Sequence, residues 1–549
     1  MKVEKENSAV RDTHAGRLFA EGARMEKERV LASLPLRFAD LHREAIIHIH
    51  DLDGWNDVGN CLTPKPESFL HPGEVRSVSV YGKIADLFAQ FGSMVGTIGH
   101  RQTGGIGCGN FDSDMAGAMR ELGVEATPET ALAFREEATR FFSRLSTERL
   151  RNACENFYVT LNFGLDTSEL GRLVTRESLT AFASLPADYT RPNMVFKVKK
   201  EINGDVNSPN HDLLLLACEC TAQKMIPTYL LLDAQPNKDC DPRLLNIMGC
   251  RTRVYANRNG AVGSIGRGNI AAVSINLPRL ALMTGSDQKF SSLLRMVMED
   301  CKRILLLRSD ALAKSRYLSE VAESGTWAAV DAADICRQGT YSVGFIGLSE
   351  ALEILGHGCL HRDESAMMAA REILELMRGR VTAFGDETGL NFALLASPGE
   401  GISGRFAMAD QRQFPDAVWP KKGYYTNSFH VAVDSGVSIA RKLQVEGPLH
   451  EFATGGSISY VELREAPLAN VEAIRDIIDI ATACGVSYLG VNYPLDICLD
   501  CHYRGTFDSC PKCGSKAIRR IRRVSGYLET LDEFATGKRA EESHRVANG

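Results

Sequence analysis

Near the end of the chain, the stretch "CLDCHYRGTFDSCPKCGSKAIRRIRRVSGYLE" holds two CxxC pairs separated by eight residues. Each CxxC turn can present two thiolates to one ion, and four thiolates complete a tetrahedral shell. Cys498, Cys501, Cys510 and Cys513 therefore form a candidate metal knuckle, with zinc the expected ion and iron its rival. No ligand position stays open once four thiolates bind, so the site is expected to be structural, and His502 is at most a spare ligand. Gly514, in "CPKCG", is free to take the positive φ a tight turn asks for. After the knuckle comes "KAIRRIRRV" and then Ser525-Gly526-Tyr527. Those arginines could grip phosphates, but Ile518, Ile521 and Val524 interrupt them. A lone Gly before Tyr is ordinarily a turn residue.

Two other segments carry reactive side chains. In "NIMGCRTRVYANRNGAVGSIGRGNIAAVSINLPR", Cys250 follows a glycine and precedes a glycine-rich loop that returns into an apolar strand. A thiol at such a loop tip can project into a cavity; the alternative is a buried core cysteine. In "HIHDLDGWNDVGNCLTP", Cys61 follows Asn60, and His48, His50, Asp51 and Asp53 could ligate a metal. His48 and His50 share one strand face, however, and no equally clear later His ligand appears. Orienting a loop or touching substrate is the expected use of these polar residues.

The elements that must hold these groups alternate. β-type runs recur at "FYVTLNFGL", "NMVFKVKK", "TYLLLDA", "AAVSINL" and "YSVGFIGL". Helical stretches such as "SSLLRMVMEDCKRILLLRSDAL" and "ESAMMAAREILELMRGRV" lie between later ones. Over roughly 400 residues this pattern implies one large α/β core. Upstream, "TPETALAFREEATRFFSRLSTERL" predicts a helix capped by Thr127, with Pro128 in its first turn and Phe134, Ala138, Phe141, Phe142 and Leu145 as its apolar stripe. Periodicity stops near Tyr493-Pro494. A catalytic domain over 1–492 and a small terminal module over 493–549 are expected.

Composition narrows the class. The 549 residues are 44% hydrophobic and 24% charged, as in ordinary globular enzymes. A net charge of −6 argues against a general nucleic-acid binder. No apolar run approaches the roughly 20 residues that span a bilayer, and the charged N-terminus lacks a signal-peptide core. A cytoplasmic protein without membrane or stable nucleic-acid partners is expected. Fifteen cysteines in such a chain point to a reducing compartment. Cys218, Cys220, Cys301, Cys336, Cys359 and Cys484 are expected to fill core space.

Taken together, "HIHDLDGWNDVGNC", "GHRQTGGIGCGNFD", "MGCRTRV", "GRGNIAAVSINLPR", "YSVGFIGLSEALEILG", "YYTNSFHV" and the C-terminal stretch resemble the anaerobic (class III) ribonucleoside-triphosphate reductases, which are glycyl radical enzymes. They occur in the family's order from about residue 45 to 530. The resemblance implies a ten-stranded α/β barrel of two antiparallel five-stranded halves, with a central finger loop and a zinc-binding C-terminal module. It implies oxygen-sensitive reduction of ribonucleoside triphosphates to 2′-deoxy forms, with Gly526 the stored radical and Cys250 the finger-loop thiyl. Cys61 would lie across the ribose, Asn60 would contact substrate, Asn269 or Asn276 would hydrogen-bond the ribose, and Glu400 in "ASPGEGISGRF" is a weaker general-base candidate.

It further implies a separate activating enzyme using S-adenosylmethionine and a [4Fe-4S] cluster, since this chain has no CxxxCxxC triad of its own. Formate or a redoxin would be the reductant, dNTP or ATP the allosteric effectors, and a homodimer the assembly. Because the family-like sequence begins almost at once, no N-terminal ATP cone is expected. The alternatives are another glycyl radical enzyme of the pyruvate formate-lyase type, which lacks such a knuckle, a zinc-ribbon nucleic-acid-binding protein, and a metal hydrolase built on His48 and His50.

Overall fold

The structure, a computed structural model, describes residues 13–99, 102–149 and 156–549. His100 and Arg101 of the "GHRQTGG" motif lie outside the described residues. The strands, in chain order, are β1 (Ile47–Ile49), β2 (Cys61–Thr63), β3 (Ile106–Cys108), β4 (Val159–Phe163), β5 (Asn193–Val198), β6 (Thr228–Leu231), β7 (Ile247–Met248), β8 (Thr252–Arg253), β9 (Arg267–Asn276), β10 (Thr340–Ile346), β11 (Asn391–Ala396), β12 (Ser459–Glu462) and β13 (Tyr488–Asn492). β14 (Leu495–Cys498), β15 (Arg504–Gly505), β16 (Ile518–Arg523) and β17 (Leu528–Thr530) follow in the C-terminal module.

One mixed, mostly parallel sheet forms the core, with eleven strands among the described residues. β2 to β6 run parallel in sequence order. β9, β10 and β11 are parallel to one another, as are β12 and β13. The two groups meet antiparallel at β2–β9 and at β6–β13. An isolated bridge, Leu395 to Gly456, links β11 to the segment entering β12. The antiparallel relation thus lies between the halves and not within them. β1, where the sequence set His48 and His50 on one strand face, is an additional strand paired antiparallel along β9.

Helices connect the parallel strands, as a crossover requires. β4, β5, β9 and β10 are buried at every residue, which is the mark of a sheet covered on both faces. The predicted helix forms at Pro128–Thr147. The Thr127 side chain accepts a hydrogen bond from the Thr130 amide, and all five stripe residues are buried. Cys218, Cys220, Cys301 and Cys336 pack as expected; Cys359 and Cys484 are only half-buried.

A second, antiparallel sheet of order β15-β14-β16-β17 carries the knuckle and, at the β16–β17 turn, Gly526. Beyond it the helix Thr536–His544 crosses the helix Gly401–Gln413 where Gly404 meets Gly537. No helix among the described residues is long and apolar enough to cross a membrane.

Candidate active site

β7 and β8 form a short antiparallel finger with Gly249 and Cys250 at its tip. Gly249 has φ +61°, a left-handed conformation that favours glycine. The finger is anchored in β4. The Asn162 amide nitrogen donates to the carbonyls of Cys108 (2.9 Å) and Ile247 (2.8 Å), while its oxygen accepts from the Ile247 amide (2.9 Å). The Thr160 hydroxyl donates to the Gly249 carbonyl (2.8 Å). On the other side, the Arg253 amide donates to the Gly455 carbonyl (2.9 Å). The tip is thereby held between the two groups of strands.

The β16–β17 turn comes to meet it. A Cβ built on Gly526 would fall on the carbonyl oxygen, Cα and carbonyl carbon of Cys250, so only glycine allows this approach. Arg523, buried, fixes the turn: it donates to the Asn492 side chain (2.6 Å), to the Gly526 carbonyl (3.2 Å) and to the Met225 carbonyl. Ser525 donates to Glu400. Glu400 sits at the N-terminus of the helix Gly401–Gln413, so it ties the glycine turn to the core.

Cys61 stands at the start of β2 on the same cavity, which has a volume of about 60 Å³ and is also lined by Asn60, Cys250, Asn269, Glu400 and Tyr527. Its thiol donates to Asn60 Oδ1 (3.1 Å) and accepts from the Gly105 amide (3.3 Å). Asn60 in turn donates to Asp51 (2.9 Å) and accepts from Asn269 Nδ2 (3.3 Å), and Asn269 Oδ1 accepts from Ser342 (2.9 Å). Burial pushes the Cys61 thiol up to about 12. The Cys250 thiol is raised by burial to about 11, with Glu400 adding to the rise and the Arg251 guanidinium opposing it. Both sulfurs are therefore neutral thiols near pH 7.

Six of the seven core residues singled out by sequence line this cavity or close onto it. Asn276 does not. It caps the helix Leu277–Thr284 through the Arg279 amide (3.2 Å), and its nitrogen serves the Ala45 carbonyl (3.0 Å) and Asp410 (3.2 Å). That leaves no amide atom for a ligand, and Asn269 is the asparagine that faces the cavity. His48 and His50 make no metal site either. His50 bonds Ser274 (2.8 Å), and among the described residues the only group of three or more metal-type ligands is the four-cysteine cluster.

In that cluster the ligand atoms of Cys498, Cys501, Cys510 and Cys513 all lie within 4.8 Å of one another. Cys498 and Cys513 are 3.5 Å apart, as are Cys501 and Cys510. A tetrahedron with Zn–S near 2.3 Å would set sulfurs about 3.8 Å apart, so the donor set fits zinc. Gly514 turns at φ +76°, as its place in "CPKCG" predicts. The basic strand β16 spends its charge internally: Arg519 on Asp188, Arg520 on Asp508 (2.9 Å), Arg522 on Asp496 (2.8 Å) and Glu542 (2.9 Å). That use disfavours a phosphate-gripping ribbon.

Sequence reasoning missed an aromatic clamp. Tyr158 and Tyr527 pack at 4.8 Å between centroids, and the Arg191 guanidinium lies 5.5 Å from the one ring and 5.4 Å from the other. Arg191 also donates to Glu529 (3.0 Å) and to the Leu528 carbonyl (2.7 Å). The one available signal was the tyrosine beside Gly526.

The family model for anaerobic ribonucleoside-triphosphate reductase matches residues 6–547. The enzyme of that name from Salmonella typhimurium is 33% identical over 421 residues, covering 71% of this chain and 58% of that protein. The chain thus aligns with little more than half the length of that relative. The Enterobacteria phage T4 enzyme is 27% identical over 562 residues, covering 92% of this chain and 90% of that protein. The crystal structure of the anaerobic ribonucleotide reductase from Thermotoga maritima superposes with a TM-score of 0.74 at 15% identity, covering 96% of this chain and 92% of that one. With a family match over nearly its whole length and a glycyl-radical-enzyme fold, the chain belongs to the anaerobic ribonucleoside-triphosphate reductase family.

Proposed function

We propose that the chain reduces ribonucleoside triphosphates to 2′-deoxyribonucleoside triphosphates by glycyl and thiyl radical chemistry. The observation that carries this reading is the approach of Gly526 to the Cys250 backbone beside a cavity that also holds Cys61. A radical on the glycine α-carbon is delocalised between amide and carbonyl, and the missing side chain lets the peptide flatten. It takes a hydrogen atom from Cys250, and the thiyl removes the 3′-hydrogen of the ribose. The 2′-hydroxyl leaves as water after receiving a proton. Cys61 supplies that proton; Cys250 then gives its hydrogen atom to the C2′ radical, and the thiyl so formed joins the Cys61 thiolate as a disulfide radical anion. Asn60 and Asn269 hold the ribose, and Glu400 is the weaker candidate for base.

The strand pairing supports a ten-stranded barrel of two five-stranded halves, with the domain boundary at residue 493. Zinc would sit on Cys498, Cys501, Cys510 and Cys513 and supply rigidity to the radical module. Structures of the Thermotoga maritima relative hold CTP with dATP, and dATP in a specificity site. Triphosphate substrates and dNTP or ATP effectors are carried to this chain as part of the proposal. So are a homodimer, a cytoplasmic location, formate or a redoxin as reductant, and a partner activating enzyme with S-adenosylmethionine and a [4Fe-4S] cluster.

Anaerobic incubation with a cognate activating enzyme, S-adenosylmethionine and reductant should give an EPR doublet that is lost in Gly526→Ala. Cys250→Ser should keep the doublet and abolish deoxynucleotide formation. An absent organic radical under every activation condition would sink the reading.

A further inference from the structure

The polar groups around the cavity are largely spoken for. Asn60 serves Asp51, Cys61 and Asn269, and Asn269 serves Ser342 as well, each amide nitrogen keeping one N–H for the ribose. Glu400 takes the Ser525 hydroxyl, His50 takes Ser274, and Thr103 donates to the Gly59 carbonyl (3.2 Å). The Cys61 proton is directed to Asn60. One group differs. Tyr527 is 8% exposed and lines the cavity, and its hydroxyl oxygen is buried without a hydrogen-bond partner. The Thr160 hydroxyl lies close enough to act on the Tyr527 phenol, but its own proton goes to the Gly249 carbonyl, and the pair falls short of hydrogen-bond distance and angle.

The hydroxyl is aimed by construction. Tyr158 packs on the ring, Arg191 lies over it, and the Val524 amide donates to the Tyr527 carbonyl (3.0 Å). A Cβ on Gly105 would come within 2.7 Å of the Tyr527 oxygen, and one on Gly249 within 3.0 Å of Cys61 Sγ and 3.7 Å of that same oxygen. The phenol and the Cys61 thiol therefore look into one space beside the fingertip. A buried hydroxyl left unmatched costs about 1–3 kcal/mol, and one that borders a cavity can recover that from whatever binds there.

We infer that the Tyr527 hydroxyl is a substrate-binding group that donates a hydrogen bond to the 2′-hydroxyl of the bound ribonucleotide, beside Cys61. The inference rests on the ribonucleotide reading proposed above. It makes the residue after Gly526 a ligand contact as well as part of the turn. The same group then senses whether the 2′-oxygen is present, which distinguishes substrate from product.

Protection of Cys250 from a small alkylating probe reports occupancy of this cavity alone, in unactivated protein. Protection at pH 9 under anaerobic conditions should need less cytidine triphosphate than 2′-deoxycytidine triphosphate. In Tyr527→Phe, which keeps the ring between Tyr158 and Arg191, that preference should shrink about tenfold, the worth of one well-made hydrogen bond. An unchanged preference in the variant overturns the inference. So does a wild-type protein that binds both nucleotides equally, a result that needs no variant. A wild-type protein protected by neither nucleotide fails earlier: it removes the ribonucleotide reading itself, and the inference with it.

Discussion

Hydrogen-atom transfer needs an S–H bond, and a thiolate has none to give. Burial holds Cys250 and Cys61 protonated, at about 11 and about 12, where an activated nucleophilic cysteine would be pushed down. On the proposed reading, burial keeps Cys250 with a hydrogen atom to give and Cys61 with a proton to give, and keeps both from acting as thiolate nucleophiles. Iodoacetamide labelling of Cys250, which requires the thiolate, should run on the order of a hundredfold slower at pH 8 than for a free cysteine of pKa about 8.5. The rate should keep climbing with pH toward about 11. Restricted access alone would slow the rate but leave its inflection near 8.5, so a plateau by about pH 10, read by mass spectrometry of the Cys250 peptide, would reject the assignment. Asn276 shows the limit of residue-by-residue inference. It shares a residue type and a segment with Asn269, yet its amide is consumed at a helix cap, and one strand of spacing separates the two fates.

The elements that fold most legibly from sequence are those with long, β-branched or strongly periodic runs. β4, β5 and β6 fall inside the stretches named from sequence, β9 and β10 begin four residues and one residue upstream of theirs, and the Pro128–Thr147 helix begins at its expected cap. β2 and β3 have three residues each and β12 has four, too few for a period to register, and their pairing is decided by neighbours far along the chain. β11 ("NFALLA") is an apolar run of a length that fits helix or strand alike. The Gly404–Gly537 crossing is another feature of this kind, since each glycine alone looks incidental. A methyl at Gly404 would come within 2.7 Å of the Gly537 Cα. Gly404→Ala should therefore loosen the last helix, at a cost of about 1–3 kcal/mol for overpacking, and hasten proteolysis between residues 530 and 549. An unchanged cleavage rate would mean that the crossing has slack.

At the scale of the molecule, a cavity only large enough for the reacting end of a ligand draws on residues from His50 to Tyr527. The cysteines were legible as types in telling contexts, whereas Gly526 and Glu400 came only with the family resemblance. Arg523, Tyr158 and Arg191 were not legible, because their roles exist only once β5, the knuckle and the glycine turn are side by side. The knuckle holds that turn from outside the cavity. Removing the metal, by a strong chelator or by Cys510→Ser, should cut glycyl radical yield sharply while far-UV circular dichroism changes little; an unaltered yield would confine the metal to local folding. The seal around Gly526 has a further consequence. Its α-carbon lies against Cys250, roofed by the Arg523 and Ser525 contacts, so anything from outside reaches it only while the turn is lifted. On the proposed reading, an activating partner and dioxygen would both use that same rare interval. Each 1.4 kcal/mol that closes the turn makes it about tenfold rarer for both. Speed of charging and survival in air are thus two readings of one equilibrium, and a mutation that improves either one should worsen the other.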